Sequence, residues 1–417
     1  MIGSGVFFKP SAVFHNAGAP GLGILAWIVG GIITIAGALS IAEIGSAIPK
    51  TGGLVIYLKE LYGEKYGFLL GWVQVLIYYP GISAALAVIF ATQATSFMDI
   101  SPSEQKLLAI VLLISLTIIN LISTKFGTRF ASVATLAKLI PICLIIVAGL
   151  AMGKVHAFTP MTSPTSTAVG FGAAVLGVLF AYEGWIAVTN MAEEMDNPVR
   201  NLPKAIIIGL GIITVAYLGV NLAVINTMPI SAVVASKKVA SDAAVILFGQ
   251  TGASIIAVGI LISIVGSLSP FIMAGARIPY AMAKDKLFPC EGFFSRLTSN
   301  GTPANAMIFQ TVLACIYAIT GSFDALTNLA VFVIWLFFIL GIAGVFILRK
   351  NHKELITEKS YKVPLYPLIP IVGIVGALYV VMSTLITGTA FALYGLGVTA
   401  VGLPVYLYLK KRNANNN

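Results

Sequence analysis

Four stretches of this chain place polar or backbone-breaking residues where apolar helices are otherwise continuous. The first is Ile2-Gly3-Ser4-Gly5-Val6-Phe7-Phe8. Each glycine costs a helix about 1 kcal/mol against alanine, and the serine offers its hydroxyl to the backbone instead of packing. In a membrane, broken backbone is tolerated only where it lines a cavity or is buried in protein. Freed N–H groups beside the start of a half-helix suit an anionic group. The competing reading is that small residues let helices pack closely.

The second stretch is Ala134-Thr135-Leu136-Ala137-Lys138-Leu139-Ile140-Pro141, with Lys138 well inside an apolar run. Charges in membrane spans are costly and mark function. An ammonium there can fill the place of a bound sodium ion, or carry a proton if its pKa is depressed. The alternative is snorkelling to the nearer surface. The third is Leu179-Phe180-Ala181-Tyr182-Glu183-Gly184-Trp185, an acid and a glycine in mid-span, which reads as a second break. The fourth pairs Tyr217 with Asn221, one turn apart on one helix face. They line a pocket or bond a neighbouring helix. Glu43 stands near a helix end, where a capped or interfacial acid is expected, and Pro141 and Pro270 should kink their spans.

Composition says what must hold these residues. Of 417 residues, 58% are hydrophobic and 10% charged, with mean hydropathy +0.98. A soluble domain carries about 25% charged residues, so this is an all-α polytopic membrane protein. The net charge of +10 is scattered between apolar spans, so nucleic acid is not the partner. Cys143, Cys290 and Cys315 lie far apart, and His15, His156 and His352 lie in separate regions of the chain. No metal site, cofactor or disulfide is indicated. No basic n-region precedes the first apolar segment, so no secretory signal is read.

At about 20 apolar residues per crossing, twelve spans are predicted, near 2–18, 21–48, 66–97, 107–123, 130–152, 169–191, 204–227, 252–282, 303–320, 325–348, 364–387 and 389–409. Residues 54–65 read as an amphipathic helix on the membrane surface. Residues 228–250 read as a loop holding one or two short helices, and 410–417 as a polar cytoplasmic tail. With both ends in the cytoplasm, loop Lys and Arg divide 19 inside to 5 outside (Lys9, Lys106, Lys154, Lys237, Lys238), with Lys138 within a span. Twelve spans with both ends inside suit a transporter. The two breaks, in spans one and six, would face each other in an inverted repeat of five spans each.

These motifs together resemble one family. Ile2-Gly3-Ser4-Gly5-Val6-Phe7 resembles the first-span motif of the amino acid–polyamine–organocation superfamily. Ala42-Glu43-Ile44-Gly45 followed by Ile48-Pro49-Lys50-Thr51-Gly52-Gly53 resembles its second-span ending. Phe180-Ala181-Tyr182-Glu183-Gly184-Trp185, then Glu194-Met195-Asp196-Asn197-Pro198, resembles its sixth. Lys138-Leu139-Ile140-Pro141 and Tyr361-Lys362-Val363-Pro364-Leu365-Tyr366-Pro367 are similar to the L-type branch, with bacterial serine/threonine and alanine–serine–cysteine exchangers nearest in likeness.

The resemblance implies a LeuT-type fold: a 5+5 inverted repeat (about 1–152 and 169–348) plus two extra helices (about 364–409), as one transmembrane domain over 1–409. It implies an amino-acid substrate whose carboxylate meets Gly3, Ser4 and Gly5. The ammonium would meet carbonyls around Phe180, Ala181 and Glu183, and of Met1 or Ile2. Phe180 matches the aromatic gate, Lys138 the lysine that replaces sodium, and Tyr217 a span-seven tyrosine. Family members carry a half-helix before the Gly-Ser-Gly motif where this sequence has Met1. The first half-helix is therefore expected to be missing, and the chain as given is expected not to transport normally. Residues 98–104 have no cysteine, so no disulfide-linked glycoprotein subunit is expected. The leading expectation is sodium-independent exchange of small neutral L-amino acids across the cell membrane. The alternatives are proton symport through Lys138 and, more distantly, a channel or membrane enzyme. Channels show filter repeats or charged rings, and neither is found in this sequence.

Overall fold

In the computed structural model the chain folds almost entirely into helices. The structure describes residues 3–50, 52–122, 134, 138–357 and 360–416, without the side chains of 190–194 and 416. The helices are α1 (Gly5–Ala17), α2 (Pro20–Ala47), α3 (Gly53–Tyr62), α4 (Glu64–Ala94), α5 (Pro102–Ile122) and α6 (Leu139–Met152). They continue as α7 (Ala168–Tyr182), α8 (Pro198–Thr227), α9 (Ile230–Ala235), α10 (Val239–Lys284) and α11 (Glu291–Phe294). The last are α12 (Ala304–Thr320), α13 (Phe323–Asn351), α14 (Leu368–Thr387) and α15 (Thr389–Asn416). Eight helices are long and apolar enough to cross a membrane, and α6, α7 and α12 are shorter apolar ones. With α1 they match the twelve predicted spans among the described residues.

Sequence chemistry sets the ends. Pro20 opens α2, where its missing N–H is no loss. The Thr167 hydroxyl accepts the Gly170 N–H and caps α7. Ser322 does the same for α13 through Ala325. Residues 230–248 hold the helices expected in the long loop: α9, then the first turns of α10 up to a break at Gly249 (φ +67°).

The spans sort into two groups. Helices α1, α2, α7 and α8 pack together, and α4, α5, α10 and α12 form the second set. The first and second spans thus pack with the sixth and seventh, and the third and fourth with the eighth and ninth. Two five-span repeats interleaved about a common axis produce this sorting. Helix α13 touches both sets, and α6 lies against α8 and α10.

Four expectations change. Lys9 is not a loop residue: it lies inside α1 and is completely buried. The sixth span does not run to 191; α7 stops at Tyr182. Helix α3 lays its apolar residues on protein: Leu54 and Leu61 reach Gly341 and Gly344 of α13. Residues 410–416 are not a loose tail but the last turns of α15. They are tied down by Arg412 to Glu291 (2.8 Å) and by Asn413 to the Lys286 carbonyl (2.8 Å).

Candidate substrate site

Helix α1 begins abruptly. Ser4 sits at its N-cap, and the Ser4 carbonyl accepts the Phe7 N–H at 3.0 Å. No side-chain cap satisfies the other leading N–H groups. The start of a thirteen-residue helix therefore presents N–H donors without a side-chain cap among the described residues, and the positive end of its dipole. The Ser4 hydroxyl is buried and has no hydrogen-bond partner among the described residues.

Helix α7 ends just as abruptly. Glu183 is extended (φ −61°, ψ 153°), and Gly184 takes φ +103°, a conformation that costs glycine nothing. The chain resumes as a 3-10 run over Trp185–Glu194. The acid and the glycine thus make the second break that their types suggest.

The two breaks meet. A Cβ on Gly5 would stand 2.6 Å from the Ala181 Cα and 2.8 Å from its Cβ. Only glycine lets the start of α1 come this close to the end of α7. Tyr217 of α8 fastens the pair: its hydroxyl donates to the Ala181 carbonyl at 2.8 Å, and the Gly3 backbone N–H faces the Tyr217 hydroxyl oxygen. The Tyr217 ring is fixed by Trp27 and Tyr182, edge-on at 5.7 and 5.2 Å. Asn221 bonds back to its own helix, at the Tyr217 carbonyl, and to no other group among the described residues.

Glu183 turns inward. Its Oε1 accepts the Tyr78 hydroxyl at 3.1 Å, the Gly184 N–H also faces the carboxylate, and Oε2 is buried without a partner among the described residues. An unpaired buried polar atom costs about 1–3 kcal/mol. Ser4 Oγ and Glu183 Oε2 are two such atoms, one at each break.

Phe180 is buried against Phe323 of α13, edge-on at 5.5 Å. The Lys9 ammonium lies over both rings, 5.4 Å from Phe180 and 5.0 Å from Phe323. It donates to Asp324 (2.6 Å), Thr327 (2.7 Å) and Asn328 (3.3 Å). The expected gate therefore carries a charged pair that sequence reasoning missed. Lys9-Pro10 imitates a loop, but Lys9 stands four residues after Gly5, on the same helical face. Tyr78 was missed too; its signal is the Tyr78-Tyr79-Pro80 run inside an apolar span.

Lys138 is placed by a different contact. It is 7% exposed at the start of α6, and Ala134, one turn before it, presses on Gly266 of α10. Gly3, Ser4, Gly5, Ala181, Glu183 and Tyr217 are thus brought together, with Phe180 and Lys9 on the α13 side. Met1 and Ile2 lie outside the described residues.

The sequence profile described as Amino acid permease matches residues 1–403. The chain is 42% identical over 417 residues to the serine/threonine exchanger SteT of Bacillus subtilis (strain 168), covering 100% of this chain and 94% of that one. It is 31% identical over 383 residues to b(0,+)-type amino acid transporter 1 of Mus musculus, covering 88% of this chain and 76% of that one. It is 30% identical over 424 residues to large neutral amino acids transporter small subunit 2 of Homo sapiens, covering 97% and 77%. A multi-span helical bundle and matches over nearly the whole length lead to one conclusion: the chain belongs to the amino acid permease family of the amino acid–polyamine–organocation superfamily, and is a multi-span membrane transporter of amino acids and not an enzyme.

Proposed function

We propose that this transporter exchanges small neutral L-amino acids, serine and threonine foremost, by alternating access and without sodium. The observation that carries the reading is the meeting of the two breaks at Gly5 and Ala181, with unpartnered Ser4 Oγ beside them. A substrate carboxylate takes the free N–H groups at the start of α1. Its ammonium takes carbonyls at the end of α7, and a small side chain fits between. The 42% likeness to a serine/threonine exchanger points to the same substrates. Lys138, a buried cation in a span, supports independence from sodium. With Lys9 inside a span, the loop bias is 19 against 4, which supports both termini in the cytoplasm. The cysteine-free loop at 98–104 supports work without a disulfide-linked subunit.

Labelled serine uptake into liposomes tests this. Uptake is expected to require internal serine or threonine and to be indifferent to replacing sodium with choline. Equal uptake into empty vesicles removes exchange. A second reading is proton symport with Lys138 as carrier, supported by its burial. It requires an imposed pH gradient to drive uptake into empty vesicles, and Lys138→Ala to abolish that response.

Tyr217→Phe removes the hydroxyl that joins the breaks. The half-saturation for serine is expected to rise roughly fivefold, the worth of one hydrogen bond at about 1 kcal/mol. An unchanged half-saturation would take Tyr217 out of the site.

A further inference from the structure

Helix α4 is not a regular α-helix. Residues Gln74–Tyr78 form a π-turn, in which the Tyr79 N–H reaches back five residues to the Gln74 carbonyl. The sequence accounts for part of this. Residue 80 is proline and has no N–H for the Leu76 carbonyl, four residues before it. The Tyr79 N–H is spent on Gln74, so the Val75 carbonyl loses its regular donor too. A π-turn inside an α-helix recurs at functional sites.

Two side chains of α12 replace the lost donors. Gln310 Nε2 donates to the Val75 carbonyl at 2.9 Å, and the bond is buried. The Tyr317 hydroxyl donates to the Leu76 carbonyl at 2.9 Å, and Tyr394 of α15 stands 3.1 Å from it. On the other face, the last residue of the turn is Tyr78, which donates to Glu183. Tyr79 and Phe271 pack against the Tyr78 ring at 5.1 and 5.6 Å. The contact from Tyr78 to Glu183 crosses from one helix group to the other.

From this geometry we infer that Gln310 and Tyr317 are positioning residues for the substrate site: they hold the π-turn of α4, and the turn aims Tyr78 at the Glu183 break. Neither touches the site itself. Were the turn to relax to a plain α-helix, one residue would drop out of the register and rotate Tyr78 by about 100°. Glu183 would then lose its hydroxyl donor, and the end of α7 would lose a fixed point. The inference rests on the proposed site between α1 and α7.

A double-mutant cycle on the reconstituted full chain tests it. Tyr78→Phe and Gln310→Met are each expected to raise the half-saturation for serine exchange roughly fivefold. Combined, they are expected to do no more than Tyr78→Phe alone, because Gln310 acts through Tyr78. Effects that multiply overturn the inference, as does a Gln310→Met variant with unchanged half-saturation. Should Gln310→Met fail to fold, Tyr317→Phe takes its place in the cycle. Hydrogen exchange by mass spectrometry reads the same idea without transport. Residues 74–84 and the Glu183–Gly184 break are expected to exchange faster in Gln310→Met and in Tyr317→Phe. Unchanged exchange at both overturns it. A wild-type chain that exchanges no serine refutes the proposed function and leaves hydrogen exchange to decide this inference.

Discussion

Gly5→Ala is expected to abolish serine exchange while the protein still reaches the membrane. The new methyl would sit 2.6 Å from the Ala181 Cα, a backbone atom that cannot rotate away. Carbon atoms prefer about 3.5–4.0 Å, so α1 and α7 must separate by roughly 1 Å at their breaks. A displacement of that size in a positioned site costs about 100-fold in rate. Overpacking adds about 1–3 kcal/mol of destabilisation. Gly3→Ala is the matched control, because a Cβ there meets nothing within 4 Å. It is expected to raise the half-saturation, as it intrudes on open space beside the site, and to leave the thermal midpoint unchanged. Gly5→Ala is expected to abolish exchange and to lower the thermal midpoint as well. A Gly5→Ala protein that exchanges serine at the wild-type rate would show that the breaks do not meet this closely.

Arg349→Met is expected to give the largest loss of stability. Glu43 is 1% exposed, near the end of α2. Arg349, in the last turn of α13, grips it with two bonds, from Nε at 2.7 Å and from Nη2 at 2.8 Å. The Val363 N–H donates to the same carboxylate at 2.6 Å, and the guanidinium lies 3.9 Å from the centre of the Tyr366 ring. One carboxylate therefore ties α2, α13 and the segment before α14. Removing the arginine leaves a buried carboxylate unpaired, at a cost of about 3–5 kcal/mol. The thermal midpoint in detergent should fall well below wild type. Adding Glu43→Gln removes the orphan charge and should recover part of the loss. A midpoint for Arg349→Met equal to wild type would show that Glu43 is not held by this pair. The sequence reading made Glu43 an interfacial acid. It is instead the buried centre of a clamp, because its partner lies 306 residues away.

What the amino-acid sequence determined by itself is local in origin. Apolar runs of about 20 residues place the spans, since an unsatisfied backbone in lipid leaves helices as the stable choice. The breaks at Gly3-Ser4-Gly5 and Glu183-Gly184 were legible from local chemistry too: two glycines around a serine, and a carboxylate beside a glycine, weaken an apolar helix at one point. The family motifs name the same positions. The tertiary structure decided what depends on residues far apart in the chain. Lys9 reads as a loop charge until Asp324, 315 positions on, is seen beside it. Tyr217 gains its role only from the Ala181 carbonyl, and Tyr78 only from a π-turn whose lost donors come from α12. A polar side chain in a span must find a partner. Sequence spacing shows that the demand exists, but only the packing of distant helices shows which atom meets it.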